Sequence, residues 1–151
     1  MPGALRQFSS RPVVASGRAL LLAMLVMFAL DVVGGFFALA SGAHGWSETW
    51  GFDTKYAVPL PVAIVQLLLA WLAFRNVRPP TGLIAAVVLA VFCAISELAG
   101  MFDGDLSEKV TSEGWLSWVV AWAIVLLIAN AVVCVLAAVR ARQLRRPSTL
   151  G

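Results

Sequence analysis

The sequence predicts an all-α integral membrane protein, an antiparallel bundle of four transmembrane helices with both termini in the cytoplasm. Of its 151 residues, 61% are hydrophobic and only 13% are charged, where soluble domains carry about 25% charged residues. Four apolar segments alternate with short polar ones, and each is near the roughly 20 residues that cross a bilayer core. The uneven placement of Lys and Arg sets the orientation.

Residues 1–18 are predicted to form a basic cytoplasmic tail. The segment holds three arginines, two prolines and two glycines, a composition typical of irregular, solvated chain. It precedes the first apolar segment directly. We expect no regular structure in it.

The first predicted helix covers residues 19–41 and carries Asp31 near its middle. A mid-helix Asp costs about 2.5–3.5 kcal/mol on insertion scales, whereas the segment's twelve Leu, Val and Phe residues return about 5 kcal/mol together. Insertion is therefore still favourable. The small residues Ala38 and Ala40 also fit a signal-peptide cleavage site, but the length of the segment and its charge favour a retained helix.

An aromatic loop is predicted over residues 42–55. Trp46, Trp50 and Phe52 are typical of the membrane–water interface, so the loop is interpreted as an interfacial anchor. The alternative is an aromatic substrate-binding loop.

The second and third helices are predicted over residues 56–74 and 81–102. Prolines in the opening turns of the second helix cost little, because amide donors there have no partner within the helix. The short turn between these helices makes them antiparallel neighbours. Gln66 lies in the second helix and Glu97 in the third.

The acidic segment 103–114 is predicted to be a solvated loop. It lacks the ligand spacing of an EF-hand calcium loop. The fourth helix is predicted over residues 115–139, with Asn130 in it and an aromatic belt at its start. The tail 140–151 is basic, and anionic lipids are its expected partners rather than nucleic acid. Its arginines are Arg140, Arg142, Arg145 and Arg146.

Nine of the eleven Lys and Arg residues fall in the two tails and the turn before residue 81. Lys55 and Lys109 are the two in the other loops. The positive-inside rule therefore predicts that both termini are cytoplasmic and that the aromatic and acidic loops face outward. The expected location is the cell membrane, and the preference for Arg, Ala and Val is typical of a GC-rich bacterial genome.

Each predicted helix carries one polar side chain within a stripe of small residues. Small faces are where membrane helices pack, so these side chains are expected to point into the bundle. Together they form the candidate intramembrane polar site, whose members are Asp31, Gln66, Glu97 and Asn130. The stripes are Ala23, Met27, Asp31, Gly34 and Ala38; Ala63, Gln66, Ala70 and Ala73; Gly82, Ala86, Ala90, Ala94 and Glu97; and Ala123, Asn130, Cys134 and Ala138.

The depths of these four side chains are predicted from the basic residue at the cytoplasmic end of each helix. This count places Glu97 about 9 Å further out than Asp31, and Gln66 and Asn130 in the inner half. The expectation is a staggered ladder. Gln66 and Asn130 are interpreted as interhelical hydrogen-bonding groups, whereas an intramembrane carboxylate is a functional hypothesis by default.

Two functions follow as hypotheses. The leading one is an accessory or structural protein that contacts a second copy or a membrane partner through its helices. The alternative is a small proton- or cation-linked transporter or channel that uses Asp31 and Glu97. An enzyme is not expected, because only Ser96–Glu97 and His44 offer reactive groups, and no metal or cofactor is expected. Cys93 and Cys134 lack a C-x-x-C spacing and are interpreted as packing residues.

Overall fold

The computed structural model describes residues 4–40, 45–51, 58–75, 80–102 and 117–145, with only the backbone for residues 4–13, 48, 100 and 102. These residues form four helices of at least 16 residues and one short helix. In chain order they are α1 (Ala4–Ala40), α2 (Trp46–Trp50), α3 (Leu60–Arg75), α4 (Thr81–Phe102) and α5 (Trp118–Arg145).

Three of the helices in the described part of the chain are long and apolar enough to cross a membrane. They include the segments Val14–Ala40, Thr81–Ala99 and Trp118–Arg145. The fourth apolar helix, α3, has 16 residues, a length of about 24 Å at 1.5 Å per residue. Over the described residues the all-α class is confirmed, and the four long helices are consistent with a helical membrane bundle.

The four long helices form a ring in which α1 and α4 each pack against α3 and α5. Side-chain contacts show that neighbours are antiparallel. Between α1 and α3, Gly17 lies near Phe74, and Asp31 bonds Val58 just before α3. Between α1 and α5, Gly17 lies near Arg140 and Phe37 near Trp122. Between α4 and α5, Cys93 is bonded to Asn130 and Ala90 to Cys134. The end that holds Gly17, Phe74 and Arg140 is called the arginine end, and the end that holds Phe37, Trp50 and Trp122 the tryptophan end.

The core between the helices is built from small and medium apolar side chains. Its buried members are Leu20, Met24, Met27, Ala70, Ala73, Ala85, Ala86, Leu89, Cys93, Val133 and Ala137. Close approach of small residues is what stabilises helix association in lipid. All four stripe residues predicted for α3 are fully buried, but in α4 Ala94 is exposed. In α5 the predicted Asn130 is buried, and from it the buried stripe continues through Val133, Ala137, Arg140 and Leu144 instead of Cys134 and Ala138.

The prediction of an irregular tail over residues 1–18 is wrong from Ala4 onward, because α1 already begins there. Gly17 is one of the two glycines on which that prediction depends. In the structure it is a packing residue, since a Cβ at this position would lie 3.2 Å from Cζ of Arg140 and 3.4 Å from Cδ2 of Phe74. Its missing side chain lets α3 and α5 approach α1.

Candidate functional site

Three of the four predicted site residues are buried inside the bundle. Asp31 is 3% exposed, Gln66 is 0% exposed and Asn130 is 5% exposed. Glu97 is half-buried. The structure brings Asn130 and Glu97 together and joins Asp31 to the start of α3 instead.

Asn130 links α5 to α4. Its Nδ2 donates to Oε2 of Glu97 at 2.7 Å and to the backbone carbonyl of Cys93 at 2.9 Å. One turn further along α5, Sγ of Cys134 donates to the carbonyl of Ala90 at 3.4 Å. Interhelical hydrogen bonds of this kind contribute about 0.6–2 kcal/mol each in membranes.

This pair contradicts the staggered ladder. The predicted depth of Asn130 is counted from Arg140, taken as the cytoplasmic end of the fourth helix. The helix instead continues to Arg145, so Asn130 lies 15 residues from its end. Glu97 lies 16 residues from the start of α4 at Thr81, which puts the two side chains at equal depth.

Asp31 contacts the segment that leads into α3. Its Oδ1 accepts a hydrogen bond from the backbone N–H of Val58 at 3.2 Å. The other oxygen, Oδ2, is buried and has no hydrogen-bond partner among the described residues. Pro59 and Pro61 have no N–H to offer the carboxylate, whereas Val58 does.

The two carboxylates lie at similar depth on diagonally opposite helices. The antiparallel pairs across α1, α5 and α4 place Asp31 and Glu97 within about one helical turn of each other along the bundle axis. The predicted offset, with Glu97 further out, is therefore not observed. The two acids lie on the tryptophan side of the buried Gln66.

Gln66 is enclosed by the bundle without a hydrogen bond in the described part of the structure. Both Oε1 and Nε2 are buried and lack a partner there. The prediction that Gln66 bonds a neighbouring helix is thus not borne out by the contacts of the described residues. Buried polar atoms are almost always paired with protein or water, so Gln66 has hydrogen-bonding capacity that the described side chains do not use.

Arg140 does not lie where the sequence predicts. It is expected in the basic tail, but it is 1% exposed. Its Nε and Nη2 donate to the carbonyl of Ala73 at 3.1 and 3.0 Å, and Nη1 donates to Oγ of Ser16 at 3.4 Å. Ala73 is two residues from the end of α3, where carbonyls lack a helical partner, so Arg140 caps α3 from the diagonal helix.

One feature of the sequence indicates that Arg140 is buried. Val133, Ala137, Arg140 and Leu144 recur at spacings of four, three and four and form one buried face of α5. A basic residue on the buried stripe of an apolar helix points inward, unlike Arg142 and Arg145, which are exposed. The predicted stripe ends at Ala138, which leaves Arg140 in the predicted tail.

The tryptophan end is covered by aromatic side chains. Trp50 of α2 packs its ring on Gly35, and its centroid lies 5.8 Å from that of Phe36. Trp122 of α5 lies 5.5 Å from Phe37. The indole Nε1 atoms of both tryptophans are buried without a partner in the described structure. Trp46 is 68% exposed, so it is the loop tryptophan available to an interface.

Gly35 lies one helical turn beyond Asp31 on α1 and leaves space for the indole ring of Trp50. A Cβ at Gly35 would lie 2.5 Å from Cη2 of the indole. The variant Gly35→Ala should therefore displace the ring and release α2 from α1. In a variant that keeps Trp50 as its sole tryptophan, we expect red-shifted emission and stronger acrylamide quenching. Val33→Ala, on the exposed side of α1, should leave both unchanged; unchanged emission in Gly35→Ala would contradict this packing.

The unpartnered atoms in the interior include both donors and acceptors. Acceptors are Oδ2 of Asp31, Oε1 of Gln66 and Oδ1 of Asn130, and donors are Nε2 of Gln66 and the two indole groups. The described residues bring no group of three or more His, Cys, Asp or Glu together. Both cysteines are free, and Cys93 is buried in the core.

Several predictions concern residues outside the described part. They include His44, Phe52, Lys55, the acidic segment 103–114 with Lys109, the first residue of the predicted aromatic belt, Trp115, and Arg146 of the basic tail. The roles suggested for these residues stay predictions.

Together, the fold and its interior define a small antiparallel helix bundle of membrane-protein type with polar side chains buried between its helices. Comparison with known proteins finds no family model, no curated protein and no solved structure that matches the chain.

Proposed function

We propose that this chain is a four-span membrane protein that carries a proton or a small cation through its bundle, with Asp31 and Glu97 as the ion-binding carboxylates. The observation that carries the proposal is Asp31, 3% exposed, with one carboxylate oxygen left without a partner among the described residues. A carboxylate is costly within a bilayer and is retained there for ion or proton pathways.

The backbone beside Asp31 supports the same proposal. Val58 and Pro59 precede α3 and are not helical, yet Asp31 lies nine residues, about 13 Å, from the end of α1. Non-helical backbone at membrane depth is tolerated where it is buried in protein or lines a water-filled cavity. This segment would line the path from the tryptophan end to Asp31.

The proposed orientation follows from the basic residues. Both termini and the arginine end would be cytoplasmic, with the tryptophan end outside. The exposed Arg142 and Arg145 would then bind anionic lipid headgroups of the inner leaflet.

The test is flux in proteoliposomes that hold a pH-sensitive dye, under an imposed proton, sodium or potassium gradient. The wild-type protein should show flux. Asp31→Asn should abolish it, because a neutral amide can neither bind and release a proton nor neutralise the charge of a bound cation. Glu97→Gln should lower it. Glu113→Gln, in the predicted outer loop, is the matched control and should behave as wild type. Flux no greater than in empty liposomes, from folded protein, would refute the proposal.

The second candidate function is an accessory protein that acts through helix contacts with a second copy or a membrane partner. It is favoured by Ala94, a small residue that lies on the exposed surface of α4 rather than in the core. Enlarging it with Ala94→Leu should then weaken association measured by cross-linking in membranes. Ala86→Gly, inside the core, should not change association at equal folded yield, and unaltered cross-linking of Ala94→Leu would contradict this function.

A further inference from the structure

A buried arginine crosses the arginine end of the bundle. Arg140 leaves α5, crosses the bundle and places Nε and Nη2 on the carbonyl of Ala73 in α3. A Cβ added at Gly17 in α1 would lie 3.2 Å from Cζ of Arg140. The guanidinium therefore contacts three of the four long helices at one level and is 1% exposed.

We infer that Arg140 is the gate of the arginine end and the residue that excludes cations there. The inference rests on the proposed function, in which a proton or cation reaches Asp31 from the tryptophan end. A guanidinium stays protonated in proteins and repels other cations strongly in a low-dielectric interior. Arginine side chains exclude cations from pores in this way. While Arg140 is hydrogen-bonded to the carbonyl of Ala73, a cation bound by the carboxylates cannot leave the bundle at the arginine end.

The contacts of Arg140 suit a gate that can open. The carbonyl of Ala73 is a neutral acceptor at the end of α3, where carbonyls can also bond to water. Gly17 leaves the space that the guanidinium fills, and Ser16 offers a hydroxyl one residue earlier. Release of the guanidinium toward the basic end of α5 would uncover the interior next to Ala70, which is fully buried.

The first experiment measures access rather than flux. Ala70→Cys is introduced with Cys93→Ala and Cys134→Ala, and a cationic, membrane-impermeant thiol reagent is added to right-side-out and inside-out vesicles. Reaction should be slow from the arginine side. Addition of Arg140→Gln should accelerate it by about tenfold or more, because the positive charge next to the path is removed. Leu68→Cys, on the exposed face of α3, is the matched control: it faces lipid instead of the path, so it should stay unreactive with and without Arg140→Gln.

A second variant keeps the guanidinium in the protein. Gly17→Ala adds a methyl group 3.2 Å from Cζ of Arg140. The methyl group should displace the guanidinium, so this variant should also raise the reaction rate at Ala70→Cys. Arg140→Lys retains the charge and should keep the rate low. Folding of each variant is checked by helical circular dichroism and elution volume. An equal rate with and without Arg140→Gln, in folded protein, would overturn the gate.

Flux then separates this inference from the proposed function. With both correct, Arg140→Gln should increase cation flux, and Asp31→Asn added to it should abolish the increase. Faster labelling at Ala70→Cys without any Asp31-dependent flux would leave the closure by Arg140 standing and refute transport. Asp31-dependent flux that Arg140→Gln leaves unaltered, with unaltered labelling, would refute the gate alone.

Discussion

Replacing Arg140 with alanine is expected to lower the free energy of unfolding by about 3 kcal/mol. The wild-type guanidinium donates two hydrogen bonds to the carbonyl of Ala73, and a hydrogen bond that involves a charged group contributes about 1.5–3 kcal/mol. Its loss also leaves a buried carbonyl at the end of α3 without this partner. The measurement is reversible unfolding in mixed micelles with a denaturing detergent, followed by circular dichroism.

The matched control is Arg142→Ala. Arg142 has the same charge, lies two residues away on the same helix and is exposed. Its replacement should change the free energy of unfolding by less than about 0.5 kcal/mol, as is usual for surface positions. Equal effects of the two substitutions would show that the charge of this segment matters and the contact of Arg140 with Ala73 does not.

The variant Gln66→Leu is expected to raise the free energy of unfolding by about 1–3 kcal/mol. A buried amide without hydrogen bonds costs about this much in proteins, and both polar atoms of Gln66 lack a partner among the described residues. Leucine has a similar volume and removes the cost. The same unfolding assay measures the gain. A loss of stability would mean that the amide of Gln66 is hydrogen-bonded in the membrane.

Gln143→Leu provides the control for this substitution. Gln143 accepts a hydrogen bond from Oγ of Ser16, so its replacement should give no gain in stability. If Gln66 belongs to the proposed path, Gln66→Leu should also reduce flux while it stabilises the protein. Such a trade between stability and activity is common at functional sites.

The sequence predicted the helical segments well where apolar length alone decides them. The predicted bounds of the third helix, 81–102, agree with α4, and Gln66 lies on the buried face of α3 with the small residues of its stripe. A polar side chain within a run of Ala residues faces the helix neighbours, because lipid offers it no partner. The burial of Asp31, Gln66 and Asn130 was therefore predictable.

The partners of these side chains were not predictable from spacing. Depth counts need a common reference plane, and Arg140 was a false one because it lies inside the bundle. The pairing of Asn130 with Glu97 and the contact of Asp31 with the N–H of Val58 depend on how α4 and α5, and α1 and α3, are offset along their axes. Packing between whole helices sets these offsets, and no single helix encodes them.

The sequence by itself determined the class of the protein, the approximate helices and the polar residues that the bundle must bury, because the period and length of apolar segments follow from helix geometry and bilayer thickness. Only the tertiary structure decided which side chains meet. Gly17 proved to be a close-approach site and Arg140 a buried cap of α3. A residue's charge predicts the cost of its burial, but only the neighbouring helices decide whether a carbonyl lies within reach to offset it.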